Sequence, residues 1–268
     1  MRRRKLLWGL LAAAVLLLIL ALDNRLTVRR YQIETEKVTE PIRILVVSDL
    51  HSCAYGENQR GLLDAMAAEE PDLVLLPGDI VDDVLPEENA WTVLEALAAQ
   101  WPCCYVTGNH EWWSGEAERI CQEIEALGIR VLRGESAEIS VKENTLTVFG
   151  IDDPDSGEDQ LSQFSEGAGE GYTILLAHRP ERIESYLSYS FDLIVSGHAH
   201  GGQWRIPGLL NGLYAPNQGL FPDYAGGRYD FGEQVFLVSR GLARESTRIP
   251  RLFNPPELVV AELLPSAA

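Results

Sequence analysis

All five histidines of the chain fall inside short polar clusters, and none is spent elsewhere in its 268 residues. The clusters read Ser48-Asp49-Leu50-His51, Gly78-Asp79-Ile80-Val81-Asp82, Gly108-Asn109-His110-Glu111, Ala177-His178-Arg179 and Gly197-His198-Ala199-His200-Gly201-Gly202-Gln203. Histidine is the commonest transition-metal ligand and titrates near neutral pH. Asp49 and His51, two apart, can turn to one cation from a short loop, and so can His198 and His200. Asp79 has two carboxylate oxygens and can bridge two ions, Asn109 offers a neutral carbonyl oxygen, and His178 offers a further nitrogen. These seven donors exceed what one tetrahedral ion takes. Two adjacent ions would use them all, activating a bridging hydroxide and clamping the oxygens of a phosphoryl group during in-line attack.

Taken singly, each residue has an ordinary reading: Asp49 and Asp79 as helix N-caps, Gly78 and Gly108 as turn glycines, His178 as a core histidine. Those readings must all hold at one sheet edge, because each cluster follows a short apolar run, at 42–47, 73–76, 104–106, 173–176 and 193–195. Nearly continuous apolar runs are strands buried on both faces. Helical candidates at 59–68, 87–100 and 115–127 lie between them, the pattern of an α/β fold whose ligands gather at the carboxyl ends of its strands. Alternation at 137–141 and 146–149, around a turn at 142–145, predicts an antiparallel pair, and 234–239 and 257–263 add two strands. The expected architecture is a two-sheet β-sandwich flanked by helices over residues 40–265. Residues 200–232, dense in Gly, Pro, Tyr and Asn, read as a long loop of the kind kept for function.

In this order, Asp-x-His, Gly-Asp-x-x-Asp, Gly-Asn-His-Glu, a lone His and Gly-His-x-His resemble the complete signature of the calcineurin-like metallophosphoesterases, over residues 42–203. The resemblance implies one divalent ion on Asp49, His51, Asp79 and His200 and a second on Asp79, Asn109, His178 and His198, with Mn, Fe, Zn or Co suited to such mixed donors. It implies that His110 faces the substrate and donates a proton, that Asp82 orients its imidazole, and that Glu111 is structural. The N-terminal segment, the Gly-His-Ala-His-Gly-Gly-Gln run and residues 213–219, 239–242 and 254–257 are similar to the membrane-associated bacterial branch of that family. That branch includes enzymes resembling the UDP-2,3-diacylglucosamine pyrophosphohydrolases of the lipid A pathway.

Arg2, Arg3, Arg4 and Lys5 open the chain, and 6–22 contains no charged residue. At about 1.5 Å per helical residue that stretch spans roughly 25 Å, enough to just cross a bilayer. A signal peptide has the same basic start, but no small-x-small cleavage site follows, so an uncleaved anchor over 1–25 is expected, with a cleaved export signal as the alternative. Positive charge at its start places the rest outside the cytoplasm, in the cell membrane; Arg3-Arg4-Lys5-Leu6-Leu7 also resembles a twin-arginine export signal. The whole chain carries −18 and the part beyond residue 22 near −22, which repels nucleic acid and anionic lipid surfaces over a Debye length. A phosphate must therefore be drawn locally, by bound cations. Cys53, Cys103, Cys104 and Cys121 form no Cys-x-x-Cys pair and read as buried thiols.

The expected function is a dinuclear, metal-dependent phosphodiesterase or pyrophosphohydrolase acting on a lipid-linked or envelope substrate, with no nucleic-acid partner and no obligate protein partner. A phosphomonoesterase or protein phosphatase is the alternative, and a non-catalytic metal-stabilised scaffold is the rival from another class. Trp112, Trp113, Trp204 and Phe221 are candidates to meet an acyl chain, and Arg179, Arg205 and Arg228 to bind a second phosphate. Asp152, Asp153 and Asp155 lack a regular metal-loop spacing and read as an acidic turn.

Overall fold

The computed structural model describes residues 2–164, 171–244 and 249–266. In chain order they form helix α1 (Arg2–Ala21), strands β1 (Thr27–Thr35) and β2 (Ile42–Val46), helix α2 (Arg60–Ala67), strand β3 (Leu73–Pro77), helix α3 (Glu88–Ala98), strand β4 (Cys103–Val106), and helices α4 (Asn109–Trp113) and α5 (Ala117–Ala126). Strands β5 (Arg130–Val131), β6 (Glu135–Val141), β7 (Asn144–Ile151) and β8 (Tyr172–Ala177) follow, then helix α6 (Ile183–Tyr186). The last strands are β9 (Leu193–Ser196), β10 (Tyr214–Ala215), β11 (Gly219–Leu220), β12 (Gly227–Phe231), β13 (Gln234–Val238) and β14 (Glu257–Pro265).

The strands assemble into two six-stranded sheets, β1-β14-β2-β3-β4-β5 and β12-β13-β9-β8-β7-β6. Their continuous apolar sequences have a layered cause. In β2 and β3, Ile44, Val46, Leu73 and Leu75 face the second sheet, where they meet Val148, Ile174, Leu176 and Val195. The alternate residues Leu45, Val74 and Leu76 face outward, onto Leu62 and Met66 of α2, Val93 and Leu97 of α3, and Ile120 and Ile124 of α5. The outer face of the second sheet is covered by Ile183 and Tyr186 of α6 and by Phe191. Each fully buried Leu, Ile or Phe side chain adds about 1.5–3 kcal/mol of transfer free energy, so both faces of the strands must be apolar.

Strands β2 to β5 are parallel, as are β7, β8, β9 and β13. The carboxyl ends of β2, β3, β4, β8 and β9 therefore open onto one edge. Residues 27–35 form an edge strand parallel to β14, so the first sheet begins upstream of the boundary expected at residue 40. The expected long loop at 200–232 carries more structure than its composition suggested: β10 and β11 pair within it, and β12 is the edge strand of the second sheet. The turn between β6 and β7 is tighter than expected, since Val141 already pairs with Asn144.

Helix α1 is long and apolar enough to cross a membrane, with mean hydropathy 2.0 over Arg3–Ala21 and almost no burial against the rest of the chain. It is apolar all round, which suits a lipid environment rather than the surface of a soluble domain.

Candidate metal centre

Each polar cluster directly follows its strand, four of them in loops and the third, from Asn109 on, as the first turn of α4. The turns are tight: Asp49, His51, Asp79, His198 and His200 have φ between 47° and 66°, a left-handed conformation that costs an ordinary residue about 1–2 kcal/mol. Strain of this kind persists where surrounding contacts over-determine it. Glycines make the room: a Cβ on Gly108 would lie 2.2 Å from Asp79 Oδ1, and one on Gly197 2.5 Å from Asp49 Oδ2. Buried Glu111 accepts the backbone N–H groups of Gly108, Asp79, Ile80 and Val81 at 2.8–3.0 Å. Its role is to hold the β3 and β4 loops together.

These loops bring all seven expected donors to one place. Asp49, His51, Asp79 and His200 form one buried group with donor atoms within 4.8 Å of one another, and Asp79, His178 and His198 form a second. Asn109 joins the second, its Oδ1 lying 3.2 Å from His178 Nε2. The ring nitrogens face one another, His51 Nε2 3.3 Å from His200 Nε2 and His198 Nδ1 3.2 Å from His178 Nε2. Partners on the far side fix the rings. His51 Nδ1 is 2.9 Å from Asp82 Oδ1, His178 Nδ1 is 2.7 Å from the Pro77 carbonyl, and His198 Nε2 is 2.9 Å from Asn217 Oδ1. Protons on those nitrogens leave the opposite nitrogens with lone pairs turned inward, the arrangement metal-ligating histidines use.

Asp79 joins the two groups. Its Oδ1 accepts the His110 backbone N–H at 2.9 Å. Its Oδ2 lies buried 3.1 Å from His178 Nε2 and 3.6 Å from His51 Nε2, without hydrogen-bond alignment to either. A buried carboxylate oxygen left so is expensive unless a cation satisfies it. The donor set therefore fits two divalent ions sharing one carboxylate.

The electrostatics point the same way. Burial works against ionisation of Asp79, yet the charge of His178 and His51 holds its carboxyl well below the ordinary value. Burial lowers His178, but the Asp79 charge outweighs it and pushes that ring up to about 10. Burial and the neighbouring His178 and Arg179 push His198 down to about 3. The buried carboxylates thus draw positive charge onto His178, which in turn keeps His198 neutral.

His110 stands beside the donors, its ring 4.3 Å from that of His51 and partly exposed. The carboxylate nearest its Nδ1 is Asp83 at 2.6 Å, not Asp82 at 3.4 Å. Asp82 spends its shorter contact on His51. The expected Asp82–His110 pair is thus a shared arrangement in which Asp82 bridges two rings and Asp83 holds the exposed one. Burial lowers His110, but Asp82, Asp79 and Asp83 together raise it to about 9.

Of the remaining expectations, Arg179 lies in the site. Asp153 clamps its Nε and Nη2, and its Nη1 donates to Asn217 Oδ1 at 2.8 Å and lies 3.4 Å from His198 Nε2. Asp153 and Asp155 are thereby engaged with Arg179, while Asp152 accepts from Thr107 and Arg133. The Trp113 ring is 4.8 Å from His110, Trp112 is tied to Thr107, and Trp204 and Phe221 are exposed. Arg205 donates to Asn211, and Arg228 is spent on Asp230. All four cysteines are buried, and burial pushes the Cys103, Cys104 and Cys121 thiols up to about 12. Sequence reasoning missed Asp83 and Asn217. The doubled Asp82-Asp83 was a signal for the first. For the second it was the turn composition Pro216-Asn217-Gln218-Gly219, which the structure folds with Asn217 at φ 59°.

Residues 42–202 match the sequence model of the calcineurin-like phosphoesterases. An uncharacterized metallophosphoesterase of Aquifex aeolicus is 30% identical over 254 residues, covering 89% of this chain and 92% of that protein. The phosphodiesterase YaeI of Escherichia coli is 30% identical over 231 residues, covering 84% and 83%. A Danio rerio protein named transmembrane protein with metallophosphoesterase domain is 28% identical over 64% of this chain and 44% of its own length. Among solved structures, phosphopantetheinyl hydrolase from Mycobacterium tuberculosis shares the fold, with a TM-score of 0.50 at 12% identity over 85% of this chain and 98% of that one. The chain belongs to the calcineurin-like phosphoesterase family and is a metal-dependent hydrolase of phosphoric esters.

Proposed function

We propose that the chain cleaves a phosphodiester or pyrophosphate bond of a lipid-linked or envelope substrate, using two divalent cations. One is held by Asp49, His51, Asp79 and His200, the other by Asp79, Asn109, His178 and His198. The observation that carries this reading is the pair of buried donor groups sharing Asp79, whose Oδ2 lacks any aligned hydrogen bond. When bound, the ions supply Lewis acidity toward phosphoryl oxygens and acidify water. His110, held at Nδ1 by Asp83 and Asp82, donates from its other nitrogen to a phosphoryl or leaving-group oxygen. Arg179, fixed by Asp153 and Asn217, adds a guanidinium beside His198 that keeps the second group in register.

The diester preference draws support from the E. coli relative, named a phosphodiesterase. Membrane attachment draws support from α1 and from the D. rerio relative's name. We assign residues 1–25 to the anchor and the sheets from β1 to β14 to a catalytic unit outside the cytoplasm, following the basic residues that precede α1. The test is hydrolysis of bis(p-nitrophenyl) phosphate and of p-nitrophenyl phosphate by the detergent-solubilised full chain, with added Mn and with chelator. Chelator-sensitive turnover favouring the diester is expected. A monoester preference would move the reading to a phosphomonoesterase, and no turnover on either with metal bound would overturn it.

A further inference from the structure

Because β14 is antiparallel to β2, and β1 is parallel to β14, the chain enters the first sheet at the edge where the donors gather. Two adjacent residues just before β14 make the link concrete. The Phe253 N–H donates to the Ala21 carbonyl, at the end of α1, at 2.7 Å. The Asn254 side chain donates to the His200 carbonyl at 2.7 Å and caps the Gln203 carbonyl at 3.3 Å. The end of the apolar helix and a loop of the donor cluster are thus tied to neighbouring residues.

The segment that continues from that loop is unusually apolar where it meets solvent. Trp204, Ile206, Leu209, Leu220 and Phe221 are exposed, Leu209 at 82% and Phe221 at 64%. The segment is fastened to the same strand entry. Arg205 N donates to the Leu252 carbonyl, Trp204 Nε1 to the Pro250 carbonyl, and Phe221 N to the Leu213 carbonyl, while Leu213 N bonds Trp204 O. Phe221 and Phe253 both hold φ near 50–57°, a strained conformation for bulky residues that presents their rings against local preference. Five exposed apolar side chains within residues 204–221 are unusual on a body near −22 in charge, whereas exposed Trp, Phe and Leu suit a bilayer interface. Exposed Arg29, at the start of the sheet, suits its headgroups, while Arg25 is paired with Asp23.

We propose that this rim, formed by residues 204–221, seats on the surface of the same bilayer that α1 enters, so that the donor cluster opens onto the headgroup layer and takes phosphodiesters of membrane lipids. The inference rests on reading α1 as a span and the cluster as a phosphodiesterase centre. The occupant of the rim is the phospholipid surface, because the rim is continuous with the point where α1 leaves the domain.

The test uses the full chain in nanodiscs of phosphatidylcholine and phosphatidylglycerol. Because the native thiols are buried, a nitrobenzoxadiazole label can be placed at Leu209→Cys or Phe221→Cys, and at Glu143→Cys on the opposite sheet edge. Doxyl-labelled lipid is expected to quench the labels at 209 and 221 several-fold more than the label at 143. Equal, weak quenching at all three positions would overturn the proposal, whether the rim is then in water or against a second copy of the chain. A second arm compares hydrolysis of bilayer-embedded fluorescent phosphatidylglycerol with that of soluble bis(p-nitrophenyl) phosphate. The double variant Leu209→Ser, Phe221→Ser should lose the former several-fold and keep the latter, which also reports intact folding. Loss of neither, or of both equally, contradicts the proposal. Absence of any diesterase activity in the unmodified chain would defeat the proposed function while leaving the quenching result to decide the rim.

Discussion

At the scale of single residues, the groups proposed to hold metal are distinct from His110, the one proposed to move a proton. His110 contributes only its backbone N–H to Asp79 and keeps its ring outside both donor groups that contain Asp79. His110→Ala is therefore expected to retain bound metal, by elemental analysis, while turnover falls about 10²- to 10⁴-fold. Asn217 acts one step removed, fixing the His198 ring from behind. Asn217→Ala should raise the Mn concentration needed for half-maximal turnover about 10- to 100-fold and leave the rate at saturating Mn nearly unchanged. The seven donors and His110 were legible because each lies in a short motif at a strand end, where type and spacing suffice. Asp83 and Asn217 were not, because their roles depend on partners that only the folded loops bring near.

At the scale of elements, the site depends on close approach between loops from different strands. Gly197 has an ordinary φ, so its role is space alone. A Cβ there would sit 2.0 Å from Ser48 Oγ and 2.5 Å from Asp49 Oδ2. Gly197→Ala should destabilise by about 1–3 kcal/mol through overpacking, lowering Tm roughly 2–4 °C per kcal/mol, and should reduce metal content because Asp49 must shift. The core strands could be read from sequence because burial on two faces makes them apolar throughout. Strand β1 could not, since its edge position leaves Arg29 and Arg30 exposed and its sequence reads as polar. Strand β12 was hidden for the same reason, being a half-exposed edge beginning at a glycine within a turn-rich segment.

At the scale of the whole molecule, α1 and the two sheets contribute separately. Side chains of α1 from Arg3 to Leu20 are exposed, whereas β1 pairs with β14 along its length. Removing residues 1–22 should release the protein from a carbonate-washed membrane fraction with its circular dichroism intact. Removing residues 1–36 should strip β14 of its outer neighbour, leaving it an unpaired edge, and give aggregated protein on size exclusion. The run without charge marked α1 as a candidate span, but its junction with the donor loops required the fold. The central claim is that two cations share Asp79 and that hydrolysis depends on both. It is tested most directly by measuring metal per chain and bis(p-nitrophenyl) phosphate turnover on the Mn-loaded full chain and on Asp79→Asn. The account predicts two ions per chain in the native protein, with loss of metal and at least about 100-fold loss of turnover in the variant. Native-like turnover from Asp79→Asn, or full activity with one ion per chain, would contradict it.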